Sequence, residues 1–94
     1  MKWLEVISLR ASGNVLEVFS PEIAGFLNQI SGIEGLIEVR TYFHALIPND
    51  LAVHILWEAG SMDRQGSASG RQLIQIFQNF GLTHYNLWKE EEKK

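Results

Sequence analysis

Residues 36–58 run Leu36-Ile37-Glu38-Val39-Arg40-Thr41-Tyr42-Phe43-His44-Ala45-Leu46-Ile47-Pro48-Asn49-Asp50-Leu51-Ala52-Val53-His54-Ile55-Leu56-Trp57-Glu58. Apolar and polar residues alternate on both sides of a Pro-Asn-Asp turn, which reads as two strands folded back on each other. One face carries Ile37, Val39, Phe43, Ala45, Val53, Ile55 and Trp57. The other carries Glu38, Arg40, Tyr42, His44, His54 and Glu58, with Leu56 among them. Pairing Ile47 with Leu51 around a three-residue turn sets Arg40 opposite Glu58 and His44 opposite His54. It also sets Phe43 opposite Ile55 and Ala45 opposite Val53, whereas a one-residue slip would mix every face.

Outward from this hairpin, residues 3–10 form a β-rich run ended by Ala11-Ser12-Gly13-Asn14. Val15, Leu16, Phe19, Ile23, Phe26, Leu27 and Ile30 then follow helical spacing. Pro21 interrupts this stripe, so the expectation is either a kinked helix over 14–30 or a turn and then a helix over 21–30, capped by Ser20. Residues 59–69 read as loop. Leu73, Ile76, Phe77 and Phe80 mark a second helix, with Gly81 at the place of a C-terminal glycine stop. Gly70, one turn before Leu73, suggests close approach of helix backbone to sheet. Residues 82–88 read as a last strand, and Lys89 to Lys94 as a charged end.

The order β-α-β-β-α-β predicts an α+β, ferredoxin-like fold, a four-stranded antiparallel sheet with two helices on one face. Strands 1 and 3 are expected in the centre, parallel to each other. The chain is read as one domain over residues 1–90 with a charged tail at 91–94. The helices should cover the Val39/Val53/Ile55/Trp57 face and leave the Arg40/Tyr42/His54 face bare. Strand 1 alternates Trp3, Ile7 and Leu9 with Leu4 and Val6, so both of its faces are apolar. An open sheet face of this kind points to association, here with a second copy as a homodimer.

Composition limits the partners. The 94 residues carry 8 basic and 11 acidic side chains, a net charge of −3. An acidic chain with no Lys/Arg cluster is not expected to bind nucleic acid, since phosphate binding needs concentrated positive charge. There is no cysteine, which removes thiolate chemistry and fits a cytoplasmic setting. No apolar run approaches a membrane span, the N-terminus does not read as a signal peptide, and no cofactor motif appears.

With this order and these residues, the chain resembles the dimeric α+β barrel proteins. That group includes stress-responsive barrel domains and cofactor-free or haem-degrading monooxygenases of the antibiotic-biosynthesis type. It is also similar to small uncharacterised bacterial proteins carrying segments like Asp50 to Glu58, Gly66-Ser67, Phe80-Gly81-Leu82 and His84 to Trp88. The monooxygenase resemblance implies an Asn, Trp and His set around a pocket, and this chain has Trp57, His84 and Asn86.

Three groups are candidate sites. Arg40, Tyr42, His44, His54 and Glu58 share the barrel face. The histidines could share a metal or a proton, but no third ligand comes at a metal spacing, so hydrogen-bonded histidines in a dimer interface and no metal are expected. Arg40 with Glu58 reads first as a cross-strand ion pair and second as a carboxylate anchor. Trp57, His84, Asn86 and Trp88, beside Tyr85, could frame a pocket that stacks a flat ligand, although core packing explains the same residues. Ser67, Ser69, Gly70 and Arg71 have the parts of an anion site, without a P-loop spacing; Ser67 or Ser69 as a plain N-cap explains the same residues and is the first reading.

The leading functional expectation is a homodimeric small-molecule-binding or stress-related module. One alternative is a cofactor-independent monooxygenase acting on an aromatic or polyketide-like substrate through Trp57 and one of His44, His54 or His84. The other is a purely structural interaction domain.

Overall fold

A computed structural model describes residues 1–13 and 21–91. Among the described residues the elements run β1 (Lys2–Ala11), α1 (Pro21–Gln29), β2 (Leu36–Phe43), β3 (Asp50–Glu58), α2 (Ala68–Gln78) and β4 (Gly81–Lys89). The strands form one sheet in the order β2-β3-β1-β4, and every neighbouring pair is antiparallel. This is the expected ferredoxin-like architecture. One detail is corrected: β1 and β3 are central but antiparallel. The helical crossover returns β2 parallel to β1, and β3 inserts between them from the opposite direction.

Helix α1 begins at Pro21, a position where the missing N–H costs nothing. The Ser20 cap and the stripe residues Val15, Leu16 and Phe19 lie outside the described residues. Ile23 and Ile30 of the remaining stripe are buried against the sheet. Helix α2 buries Leu73 and Phe77 fully, alongside Ile7, Leu9, Val53 and Ile55 from the central strands. Burying each such side chain contributes roughly 1.5–3 kcal/mol, so this face sets the orientation of the sheet.

Gly81 is not the helix stop expected from its position. Asn79 caps α2 in ordinary right-handed geometry, and Gly81 opens β4 opposite Ala11. A Cβ at Gly81 would collide with the Arg10 carbonyl, so glycine is needed there for close strand approach.

The hairpin register also differs from the expectation. Arg40 pairs with His54, Val39 with Ile55 and Phe43 with Leu51. Neither Arg40–Glu58 nor His44–His54 is a cross-strand pair. β2 ends at Phe43, and residues 44–49 form a longer connection than the three-residue turn. The offset from the expected register is an even number of residues, so each side chain keeps its face and the apolar pattern cannot detect the shift. The connection itself sets the register. His44 N donates to the Asp50 carbonyl at 3.0 Å, and Ala11 N donates to the Asn49 carbonyl at 2.8 Å. Ala45 therefore leaves the strand face, and a register irregularity between Leu36 and Glu38 leaves Ile37 exposed rather than under a helix.

No helix among the described residues is long and apolar enough to cross a membrane.

Candidate functional site

Strand register arranges the uncovered face in rows. Glu38, Leu56, Leu4 and Trp88 form one row, and Arg40, His54, Val6 and Asn86 the next. Tyr42, Ala52, Ser8 and His84 form a third, followed by Asp50, Arg10 and Leu82. The first end is apolar, with Leu4, Val6 and Leu56 half-buried and Trp88 59% exposed. The other end is concave. A cavity of about 430 Å³ opens there, lined by Ser8, Arg10, Tyr42, Phe43, His44 and Leu82 with His84 and Asp50 beside them.

Local chemistry fixes several of these groups. Arg10 donates through Nε to Asp50 Oδ1 and through Nη2 to Asp50 Oδ2, both at 2.9 Å. These hydrogen bonds, and then the guanidinium charge, hold the Asp50 carboxyl below its usual pKa. Leu46 N and Ile47 N both donate to His44 Nδ1 at 3.0 Å. An atom that accepts two N–H groups carries no proton, so the neutral His44 ring carries it on Nε2. Tyr42 and His54 rings lie 4.7 Å apart at 52°.

The remaining barrel-face candidates take local partners. Arg40 pairs with Glu38 on its own strand, and hydrogen bonds to Glu38 and then Tyr42 raise its pKa further, making it a fixed cation. Glu58 takes the chain's N-terminal amine at 3.1 Å. Among the described residues no three of His, Asp and Glu converge as metal ligands.

The sheet divides the second candidate group. Trp57 lies on the helix-covered face, 6% exposed, whereas His84, Asn86 and Trp88 project from the other face. They do not frame one pocket.

Beneath the helices lies a residue that the strand pattern of β1 concealed. Glu5 is 0% exposed and shares its face with Ile7 and Leu9. Its carboxylate accepts from Trp57 Nε1 at 2.7 Å, Ser67 N at 3.0 Å, Ser67 Oγ at 2.5 Å and Tyr85 Oη at 2.6 Å. Burial and then the hydrogen bond to Glu5 push the Tyr85 hydroxyl's pKa up, because both favour the neutral phenol. Ser67 Oγ in turn accepts from Gly70 N at 2.9 Å as the N-cap of α2. The available signal was an acid at the same parity as Trp3, Ile7 and Leu9 on a strand apolar on both faces.

This arrangement also locates the Ser67/Ser69/Gly70/Arg71 group. An anion does sit at the N-terminus of α2, and it is the chain's own Glu5 carboxylate. Ser69 is buried, and Arg71 Nη1 donates to the Gly66 carbonyl at 2.6 Å. A Cβ at Gly66 or Gly70 would collide with Glu5 Oε2, which confirms the close approach expected at Gly70. Gly66 also has φ +86°, a conformation that favours glycine.

No protein-family model matches the chain, and no curated protein matches it in sequence. Solved structures do match, over nearly the whole chain, in the βαββαβ ferredoxin-like fold. A conserved protein from Methanosarcina mazei Go1 aligns with TM-score 0.74 at 13% identity, covering 97% of this chain and 94% of that one. SnoaB from Streptomyces nogalater, a cofactor-independent oxygenase solved as an asparagine-to-alanine mutant, aligns with TM-score 0.71 at 10% identity, covering 98% and 95%. A Bordetella bronchiseptica protein named as an antibiotic biosynthesis monooxygenase aligns with TM-score 0.67 at 14% identity, covering 97% and 98%. At these identities the likeness establishes the fold.

Proposed function

We propose that this protein is a small-molecule-binding module that works as a homodimer through the uncovered sheet face. The observation that carries the reading is the cavity of about 430 Å³ at the Tyr42/Ser8/His84 end of that face. Its size falls in the range of roughly 300–1,000 Å³ typical of ligand pockets, and its lining mixes apolar surface with a few polar groups. The opposite end of the face, with Leu4, Leu56 and Trp88, supplies the apolar contact area for a second copy.

Oxygenase chemistry through Trp57 and a strand histidine has less support. The Trp57 indole N–H is held by Glu5 on the helix side, and His54 and His84 are on the other side.

Small-fragment screening against ¹⁵N-labelled protein tests the binding reading. Hits should shift the amides of Ser8, Tyr42, Leu82 and His84. Hits that cluster elsewhere, or an absence of hits, would overturn it. The dimer is tested separately by light scattering on Trp88→Glu. The parent should run at twice the chain mass and the variant at once, and a monomeric parent would remove the self-association.

A further inference from the structure

The polar groups of this cavity are unequal in kind, and the inequality points to a ligand class; the argument rests on the small-molecule reading above. Asp50 is the acid in the lining, and both of its oxygens already receive hydrogen bonds from Arg10. Arg10 is left with donors to spare. A guanidinium has five N–H groups, and the Asp50 contact engages Nε and Nη2 only, so Nη1 has no partner among the described residues. The side chain is 59% exposed, which keeps those donors accessible. His44 adds a second donor of fixed identity, because its Nδ1 is committed to two loop amides. The site therefore offers N–H groups and asks for an acceptor.

The walls also carry an aromatic and an aliphatic surface. Tyr42 and Leu82 line the cavity on the open face and are 45% and 68% exposed, so they offer surface that a flat body would cover. The chain carries a net charge of −3, so an anion is drawn here by Arg10 and the local donors and not by the field of the whole protein.

We propose that the cavity binds a planar apolar carboxylate, its carboxylate held by Arg10 Nη1 and the His44 Nε2–H and its body lying across Tyr42 and Leu82.

A matched pair of probes tests this. 1-Naphthoate and 1-naphthamide have nearly the same shape and differ in the charge of the polar end. Titration calorimetry should find naphthoate bound about tenfold or more tightly than the amide, as charge-assisted hydrogen bonds are roughly twice as strong as neutral ones. Arg10→Gln should remove about that tenfold advantage, weakening naphthoate far more than the amide. Arg10→Lys should keep part of it, since the charge remains while the second N–H direction is lost. The ¹⁵N spectrum of each variant confirms folding. Equal affinity for the two probes, or a naphthoate affinity indifferent to Arg10→Gln, would overturn the carboxylate assignment while leaving any fragment binding intact. Failure of both probes where screened neutral fragments bind the same residues would do the same. An absence of all fragment binding would instead strike the underlying reading.

Discussion

Strand β1 presents polar groups to both sides of the sheet, and the two sides treat them in opposite ways. Towards the helices, Glu5 is fully buried and receives four hydrogen bonds, from Trp57, Tyr85 and two groups of Ser67. Among the described residues no buried side-chain polar atom lacks a partner. Towards the uncovered face, Ser8 and Arg10 line a cavity in which Arg10 keeps N–H donors that its Asp50 contact does not use. A saturated buried carboxylate tethers β1, β3, β4 and the start of α2 together, and it has nothing left to offer a ligand. An unsaturated donor set on an open face has the reverse character. The location of the charged residues thus matters less for function than whether their hydrogen-bonding capacity is already used.

The sharpest way to break this comparison is Glu5→Leu. It strands the Trp57, Ser67 and Tyr85 donors in the interior, and urea unfolding should report a loss of about 3–5 kcal/mol. A loss under about 1 kcal/mol would mean that water reaches the node and that the covered face is not dry. Gly70→Ala presses a methyl group onto Glu5 Oε2 and should cost about 1–3 kcal/mol by the same measurement, as overpacking does elsewhere. Tyr85→Phe removes one of the four hydrogen bonds and should cost about 1–2 kcal/mol.

The same tyrosine gives a pH signature. Its folded pKa is raised by burial and by Glu5, so the folded state favours the protonated phenol. The stability this contributes is complete below the unfolded value of about 10 and is lost as pH rises from there towards the higher folded value. Thermal melts of the parent should therefore fall above about pH 10, and those of Tyr85→Phe should fall less steeply.

On the open face the effects should be small. His84→Ala should change stability by less than about 0.5 kcal/mol, as an exposed position away from the core usually does. For Asp50 the sign is opposite to that of Tyr85. Its folded pKa is lowered by Arg10, so its contribution is present above the unfolded value of about 3.9 and fades as pH falls through the lower folded one. Asp50→Asn should flatten only that acid limb of the melting curve.

Much of the architecture was legible before any coordinates. Period-two alternation in residues 36–58 and helical spacing around Leu73 and Phe77 located the elements, because both patterns are consequences of backbone geometry. Gly70 announced a tight contact for the same kind of reason, since a missing Cβ is readable as a missing Cβ. What it contacts was not readable. Glu5 lies 62 residues before its Ser67 partner and 80 before Tyr85, and sequence spacing carries no signal over such separations. The hairpin register failed for a different reason. An even shift conserves every face, so alternation favours the expected pairing and the observed one equally. Only the contacts of His44 and Asn49 in the 44–49 connection separate them. The pocket residues divided similarly. The structure puts His84, Asn86 and Trp88 on one face of β4, and Trp57, expected beside them, on the other side of the sheet.

The sequence alone determined the order of elements, the two faces of each strand and the single apolar stripe of α2, because these depend on local periodicity. It also determined that β1 is apolar on both sides, the helix-covered one and the open one. Tertiary structure decided the strand register, the use of the α2 N-terminus by Glu5 and the placing of the cavity between Arg10, His44 and Tyr42. Those depend on which distant groups meet and which hydrogen bonds they satisfy, and a periodic pattern is the same before and after that choice.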